Sequence, residues 1–344
     1  MDFMEKISIA IVGFGYWSPK LIRNFGKCQN AHIAAVCEKD ETKWPAIKEL
    51  LPETKIYLHY TEALQNTDIQ AVVIATTVSS HYRIAQEALL QNKHVLIEKP
   101  MTITGKEADR LVRLAQKKQR ILMVDHTFIY SPPIQELKRL IDEQTLGDMY
   151  SYQSSRLNLG LFQRDVNVLY DLAPHDFSIL RYLIPEKPKD ISAIGSCPIH
   201  HPLQTKPQES IVYVSVRYPS GLIAHIHVSW LSPIKVRKTT LIGSKKMALY
   251  DLLDPQGKIK IYDQGVELRE VQQRYEPLFD YRIGSTDTPS IRETEDLEEV
   301  AKDFLRCIEQ GAKPLVDGTF GRDVVYLLEA AQRSLNKKGK WVSV

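Results

Sequence analysis

At 344 residues the chain is too long for one ordinary domain, and its composition, 43% hydrophobic with 25% charged, supplies apolar side chains for two sizeable cores. A formal net charge of +3 over that length leaves none of the basic footprint of a nucleic-acid binder, and no apolar run approaches the ~18 residues of a membrane helix. Residues 1–6 enter an apolar strand without the basic region and cleavage site of a signal peptide, and Cys28, Cys37, Cys197 and Cys307 form no CxxC pair; these features predict reduced thiols, no metal site and a soluble cytoplasmic protein.

In chain order, residues 7–12 read as a strand, followed by a glycine turn and a helix from about residue 18 to 25. A second strand covers 33–37, and 44–51 reads as a helix ended by Pro52. The run Ala-Val-Val-Ile-Ala at 71–75 is continuously apolar, as a strand buried on both faces should be. Helical periodicity follows over 81–91, a strand over 94–97, a helix over 104–118 and a strand over 121–124. This alternation predicts a parallel, doubly wound sheet with right-handed crossovers.

After about residue 126 the pattern changes. A helix over 133–143 precedes strands that alternate apolar and polar residues at 151–158, 191–196, 209–218, 222–230 and 236–242. Pro219-Ser220-Gly221 marks a hairpin. Two helices, 293–310 and 321–336, finish the chain. The predicted class is α/β: a nucleotide-binding Rossmann domain over 1–125, then an α+β domain over 126–344 with an open, mainly antiparallel sheet.

Gly13-Phe14-Gly15-Tyr16-Trp17-Ser18 follows the first strand and opens a helix, the context a dinucleotide fingerprint requires. Gly13 permits the tight turn, and Gly15 lets the backbone approach a pyrophosphate that the helix N-terminus then meets. Ser18 replaces the third glycine, and an ordinary β–turn–α connection is the bland alternative. Glu38 ends the second strand 25 residues after Gly13, close to the spacing of the carboxylate that binds the adenosine ribose. A carboxylate there repels a 2′-phosphate, which favours NAD over NADP, although Lys39 stands beside it. Further on, Thr76, Thr77, Ser79, Ser80 and His81 follow the fourth strand, where open α/β sheets bind ligands. His81 serves equally well as a first-turn helix residue. Glu98-Lys99-Pro100 places a carboxylate and an ammonium at the end of a buried strand, a costly arrangement unless it serves a site.

The glycine loop at 13–17, Glu98-Lys99-Pro100 and Asp171-Leu172-Ala173-Pro174-His175 together resemble the glucose–fructose oxidoreductase / inositol dehydrogenase / rhizopine-catabolism (Gfo/Idh/MocA) family, and the resemblance spans the chain. It implies an NAD(P)-dependent sugar dehydrogenase with a Lys–Asp–His catalytic set at Lys99, Asp171 and His175, a cis Lys99–Pro100 bond, and cofactor contacts from the loop, Glu98 and Lys99. Ala173 and Ser178 depart from the family pattern, which has glycine and a further aspartate at those places. The chemistry agrees: oxidising a secondary alcohol needs a base, for which imidazole is suited, and a cation near the oxygen, for which Lys99 is placed. The division of roles between Lys99 and His175 stays open. So do the plainer readings of Asp171 as a helix N-cap and His175 as a core histidine.

The stretch 156–167 is rich in arginine and asparagine. Arg156, Asn158, Arg164 and Asn167 are its candidate substrate ligands, since a guanidinium fork reads phosphate or carboxylate and amides read sugar hydroxyls. With the helix carrying Arg322 and Arg333, this stretch looks like members acting on nucleotide-activated sugars, which implies oxidation at C3 of a UDP-amino sugar. A free polyol such as inositol, and a non-catalytic NAD-sensing regulator, are the alternatives. Tyr281 and Arg282 are weaker candidates, in a substrate-covering loop within 272–292. The resemblance also implies a homodimer or homotetramer joined through the antiparallel sheet.

Overall fold

The computed structural model describes residues 6–160, 162–163, 166–199, 208–268 and 278–344. Its elements run β1 (Ile7–Val12), α1 (Ser18–Lys27), β2 (Ala31–Cys37), α2 (Trp44–Leu50), β3 (Lys55–Tyr57), α3 (Tyr60–Gln65), β4 (Ala71–Ile74), α4 (Val78–Leu90), β5 (His94–Glu98), α5 (Gly105–Lys118) and β6 (Leu122–Asp125). There follow α6 (Pro132–Asp142), β7 (Met149–Leu159), α7 (Val168–Leu183), β8 (Asp190–Ser196), β9 (Ile211–Arg217), β10 (Ile223–Ser229), β11 (Leu231–Gly243), β12 (Met247–Asp251), β13 (Ile259–Leu268) and β14 (Phe279–Asp287). The chain ends with α8 (Asp296–Gln310), α9 (Gly318–Asn336) and β15 (Val342–Ser343).

Two compact units emerge, Met1–Tyr130 with Thr294–Glu329, and Ser131–Glu293 with Ala330–Val344. A single cut near residue 125 is therefore not the division. The reason lies in α8, whose apolar stripe (Leu297, Val300, Ala301, Phe304 and Leu305) joins the core formed by β1, β2 and α1. Phe304 meets Phe25 of α1 edge-to-face, with centroids 6.4 Å apart.

In the first unit six parallel strands lie in the order β3-β2-β1-β4-β5-β6. The order reverses between β1 and β4, so the turns after these strands flank the crevice where such sheets bind nucleotides. β4 is buried at every residue, as its apolar run requires. The short β3 and α3 are too brief for periodicity to reveal and were not expected from the sequence. The α5 start is held by a capping box, with Thr104 accepting from the Glu107 amide and Glu107 reaching back to the Thr104 amide.

In the second unit nine strands form one sheet, ordered β14-β13-β12-β11-β7-β10-β9-β8-β15; every neighbouring pair is antiparallel except β10 and β7. The β9–β10 hairpin falls where Pro219-Ser220-Gly221 places it. The α7 helix starts at the Asn167 cap, whose Oδ1 accepts from the Tyr170 amide, and carries Pro174 in its interior. Asp171 is thus not the cap. Residues 279–287 form a paired strand in place of the expected irregular loop, and Arg282 is tied to Asp263 and Glu267 across it. Among the described residues, no helix is long and apolar enough to cross a membrane, and no His, Cys, Asp and Glu cluster has the makings of a metal site.

Candidate active site

In the first unit the glycine loop is built by close contacts. Gly13 has φ +95°, and a Cβ on it would lie 2.8 Å from both the Ala75 carbonyl oxygen and Thr76 Cγ2. Only glycine fits where the loop passes the end of β4. Gly15 differs: a Cβ there meets nothing within 4 Å, so no atom of the described residues requires its bareness, and the space beside the loop is open. Ser18, in the place of the third glycine, is fully buried, and its Oγ donates to the Gly13 carbonyl at 2.8 Å. The hydroxyl thus closes the loop onto the helix. No side chain caps the first turn of α1, leaving its amide dipole directed at the loop.

Glu38 follows β2 and is buried; its Oε2 accepts from the Phe14 amide at 2.8 Å and its Oε1 from the Asp40 amide at 2.9 Å. The carboxylate braces the loop as well as standing where the ribose is expected. Lys43 Nζ lies 3.5 Å from it, whereas the sequence pointed to Lys39 as its cationic neighbour. Phe14 turns its ring into the core and gives its amide to Glu38, so it offers a cofactor neither. Tyr16 is 82% exposed, and Lys20 Nζ lies 4.8 Å from its ring centroid and 4.1 Å from that of Trp17. Lys20 is a cation beside the loop that pattern reading passed over. Thr76 is half-buried, with its Oγ1 accepting from Ser80 at 2.7 Å, and Thr77 is exposed.

His81 departs from expectation. It is 1% exposed, with Nδ1 3.0 Å from the Pro100 carbonyl oxygen and Nε2 3.0 Å from that of Thr76. Both ring nitrogens face backbone carbonyl oxygens, so the ring ties the turn after β4 to the turn after β5. The turn it holds carries Lys99, half-buried, in a cis bond to Pro100.

Glu98 and Asp125 are register partners at the carboxyl ends of β5 and β6. Glu98 is half-buried as a residue, but its Oε1 is closed to solvent. Burial, reinforced by the Asp125 charge, pushes the Glu98 carboxyl well above the carboxylate range. Burial raises Asp125 too, against the pull of its hydrogen bonds from Thr127 at 2.6 Å and Trp17 at 3.5 Å. Two buried acids side by side resist double ionisation. Asp125 was not singled out in the sequence. Next to it, burial pushes His126 down to about 3, so its ring is neutral at physiological pH.

In the second unit, Asp171 and His175 lie one turn apart on α7. Trp230, which follows β10 at a buried position, donates Nε1–H to Asp171 Oδ2 at 2.8 Å. His175 is half-buried with Nδ1 closed to solvent, and its carbonyl accepts from Ser178 at 2.8 Å. Ser178, where the family pattern has aspartate, is thus spent on the helix itself.

Two expected substrate ligands are structural. Arg156 is 6% exposed, and its fork meets Asp176 of α7, Nε to Oδ2 at 2.7 Å and Nη2 to Oδ1 at 3.3 Å. Ser154 adds a bond to the same carboxylate at 2.5 Å. Asn167 is buried at the α7 cap and donates Nδ2 to Glu209 at 2.7 Å and to Gln332 at 2.9 Å. Asn158 is half-buried, its Oδ1 accepting from Arg237 Nη2. Arg164 lies outside the described residues. Arg237 itself stands opposite Arg156 on β11, and the sequence did not single it out.

Residues 7–126 match the oxidoreductase family with an NAD-binding Rossmann fold, and residues 134–249 match the GFO/IDH/MocA C-terminal domain. The chain belongs to the Gfo/Idh/MocA family. As a member it is an oxidoreductase with an NAD(P)-binding Rossmann domain. Among similar family proteins, myo-inositol 2-dehydrogenase of Thermotoga maritima is 22% identical over 336 residues, 96% of either chain. UDP-N-acetylglucosamine 3-dehydrogenase GnnA of Acidithiobacillus ferrooxidans superposes with a TM-score of 0.80 at 21% identity, over 97% of this chain and 99% of that one. GenD2 from gentamicin A biosynthesis, solved in complex with NAD, superposes with a TM-score of 0.82 at 19% identity, over 100% of this chain and 98% of that one. At these identities the structural likenesses speak for the fold.

Proposed function

We propose that this Gfo/Idh/MocA protein is an NAD-dependent dehydrogenase that oxidises a secondary alcohol of a sugar to a ketone, with the C3 hydroxyl of a UDP-amino sugar as the leading substrate. The observation that carries this reading is the pair on α7: a carboxylate held by Trp230 and an imidazole one turn on. A module that only binds a dinucleotide has no need of them, nor of Lys99 at the nucleotide-binding edge of its sheet. The regulator reading is weaker for that reason.

The glycine loop, the α1 N-terminus and Glu38 hold the dinucleotide in this proposal, and the Glu38 carboxylate sets the preference for NAD over NADP. When bound, the dinucleotide would supply the acceptor for the hydride of the carbinol carbon. Lys99 stabilises the charge that develops on the carbinol oxygen. His175 takes the hydroxyl proton and passes it to solvent, so that alcohol and oxidised cofactor give ketone, reduced cofactor and one proton. Asp171, fixed by the indole, orients the imidazole or a neighbouring sugar hydroxyl. The family resemblance further supports a homodimer or homotetramer.

A screen of UDP-sugars, free sugars and inositols, with NAD and NADP in parallel and absorbance of the reduced cofactor as readout, tests the reading. No turnover with any of them, despite tight NAD binding, would favour the regulator. A polyol substrate is the second reading, favoured by the inositol dehydrogenase that matches along the whole chain. Replacing His175 by Asn should lower turnover by ~10²–10⁴-fold. Near-normal turnover of that variant at every pH would assign the base elsewhere.

A further inference from the structure

We infer that Arg237 is an anion-recognising residue of this site, reading a carboxylate or phosphate carried by the sugar. The inference rests on the dehydrogenase reading above and names the charge class of its substrate. Arg237 faces Arg156 in register across β11 and β7, so both side chains leave the same face of the sheet, the face on which Arg156 meets α7. The two guanidinium groups differ in how they are matched. Arg156 is neutralised by Asp176 at 2.7 Å. Arg237 forms no ion pair among the described residues, and its contacts are neutral acceptors: Nη1 donates to the Leu157 and Val236 carbonyls at 2.8 Å each, and Nη2 to Asn158.

A guanidinium has five N–H donors. Three are spent on those neutral acceptors, which fix the plane of the group and leave one N–H on Nε and one on Nη2 without an acceptor among the described residues. The environment adds the electrostatic reason. Burial and the neighbouring Arg156 charge both oppose the cation, and only Asp176 and Asp171 pull the other way. Asp176 is already committed to Arg156, and Asp171 to the Trp230 indole. A half-buried, rigidly held cation with two free donors, near the proposed catalytic carboxylate, is completed by an external pair of anionic oxygens. A neutral polyol leaves it uncompensated.

The test compares the full-length protein with Arg237→Gln and Arg237→Lys, the latter keeping the charge and losing the fork. Glucuronate, UDP and myo-inositol serve as carboxylate, diphosphate and neutral probes, with affinities from isothermal titration in the presence of NADH. For the wild type, at least one anionic probe should bind more tightly than myo-inositol, glucuronate assigning the contact to a carboxylate and UDP to a phosphate. In Arg237→Gln the ratio of anionic to neutral affinity should fall ~10- to 100-fold, with a smaller fall in Arg237→Lys. Equal weakening of all three probes would mean that Arg237 only braces β7 and β11, and would overturn the inference. So would a wild type that binds neither anion better than myo-inositol, a result that needs no variant to fold. Because binding is the readout, absence of turnover with every sugar would refute the dehydrogenase reading and leave the charge question decided on its own.

Discussion

Replacing Gly15 by alanine adds one methyl group at a point where no protein atom lies within 4 Å. The folded chain should accept it, and gain ~0.4–1 kcal/mol through the less flexible unfolded chain. A pyrophosphate drawn against the loop meets the methyl directly. Overpacking of this kind costs ~1–3 kcal/mol, which corresponds to a fall in NADH affinity of ~5- to 150-fold. Gly13→Ala should behave oppositely. Its φ of +95° strains an L-residue by ~1–2 kcal/mol. Contacts at 2.8 Å with the Ala75 oxygen and Thr76 Cγ2 add a further ~1–3 kcal/mol. At ~2–4 °C per kcal/mol, that lowers the melting temperature by roughly 4 to 20 °C. Thermal unfolding together with NADH fluorescence titration separates the two variants. If Gly15→Ala binds NADH like the wild type, the pyrophosphate does not lie against this loop; if Gly13→Ala melts with the wild type, the close approach of loop and β4 is wrong.

The remaining expectations concern charge. Asp176→Asn removes the charge that meets the buried Arg156 at 2.7 Å and should cost ~3–5 kcal/mol in denaturant unfolding. Because Glu98 is raised above its ordinary value in the folded chain, the native state holds a proton that the unfolded state releases. Wild-type stability therefore falls as pH rises from the unfolded value of 4.5 toward the raised folded one, and Glu98→Gln should flatten that slope in unfolding curves taken across the range. Glu38→Gln retains an acceptor for the Phe14 amide while removing the charge, and with Lys43 beside it should move the ratio of NADPH to NADH affinity upward by ~10-fold. An unchanged ratio would mean that the Glu38 charge does not select the cofactor.

Much of the fold was legible because periodicity is a local property. The all-apolar run at β4, the alternating β9 and β10 around Pro219-Ser220-Gly221, and the loop between β1 and α1 each carry their signal within a dozen residues. Elements whose signal is short or mixed escaped: β3 has three residues, and α7 contains a proline that reads as a boundary. The strand β14 has no buried face to impose an alternation.

For the site, the sequence by itself determined which chemistries are available: a glycine loop, an acidic residue at its proper spacing, and Lys99, Asp171 and His175 in recognisable motifs. Which polar side chains are already spent was decided only by tertiary structure, since a partner's distance along the chain says nothing of its distance in space. Arg156 looked like a free fork until Asp176, 20 residues on, filled it. His81 looked like a ligand until two carbonyl groups claimed its ring. Ser18, a defect in the motif when read as letters, proved to be a hydroxyl that ties the loop to its helix. Arg237 had no motif at all; its meaning comes from lying opposite a neutralised arginine with no carboxylate of its own among the described residues.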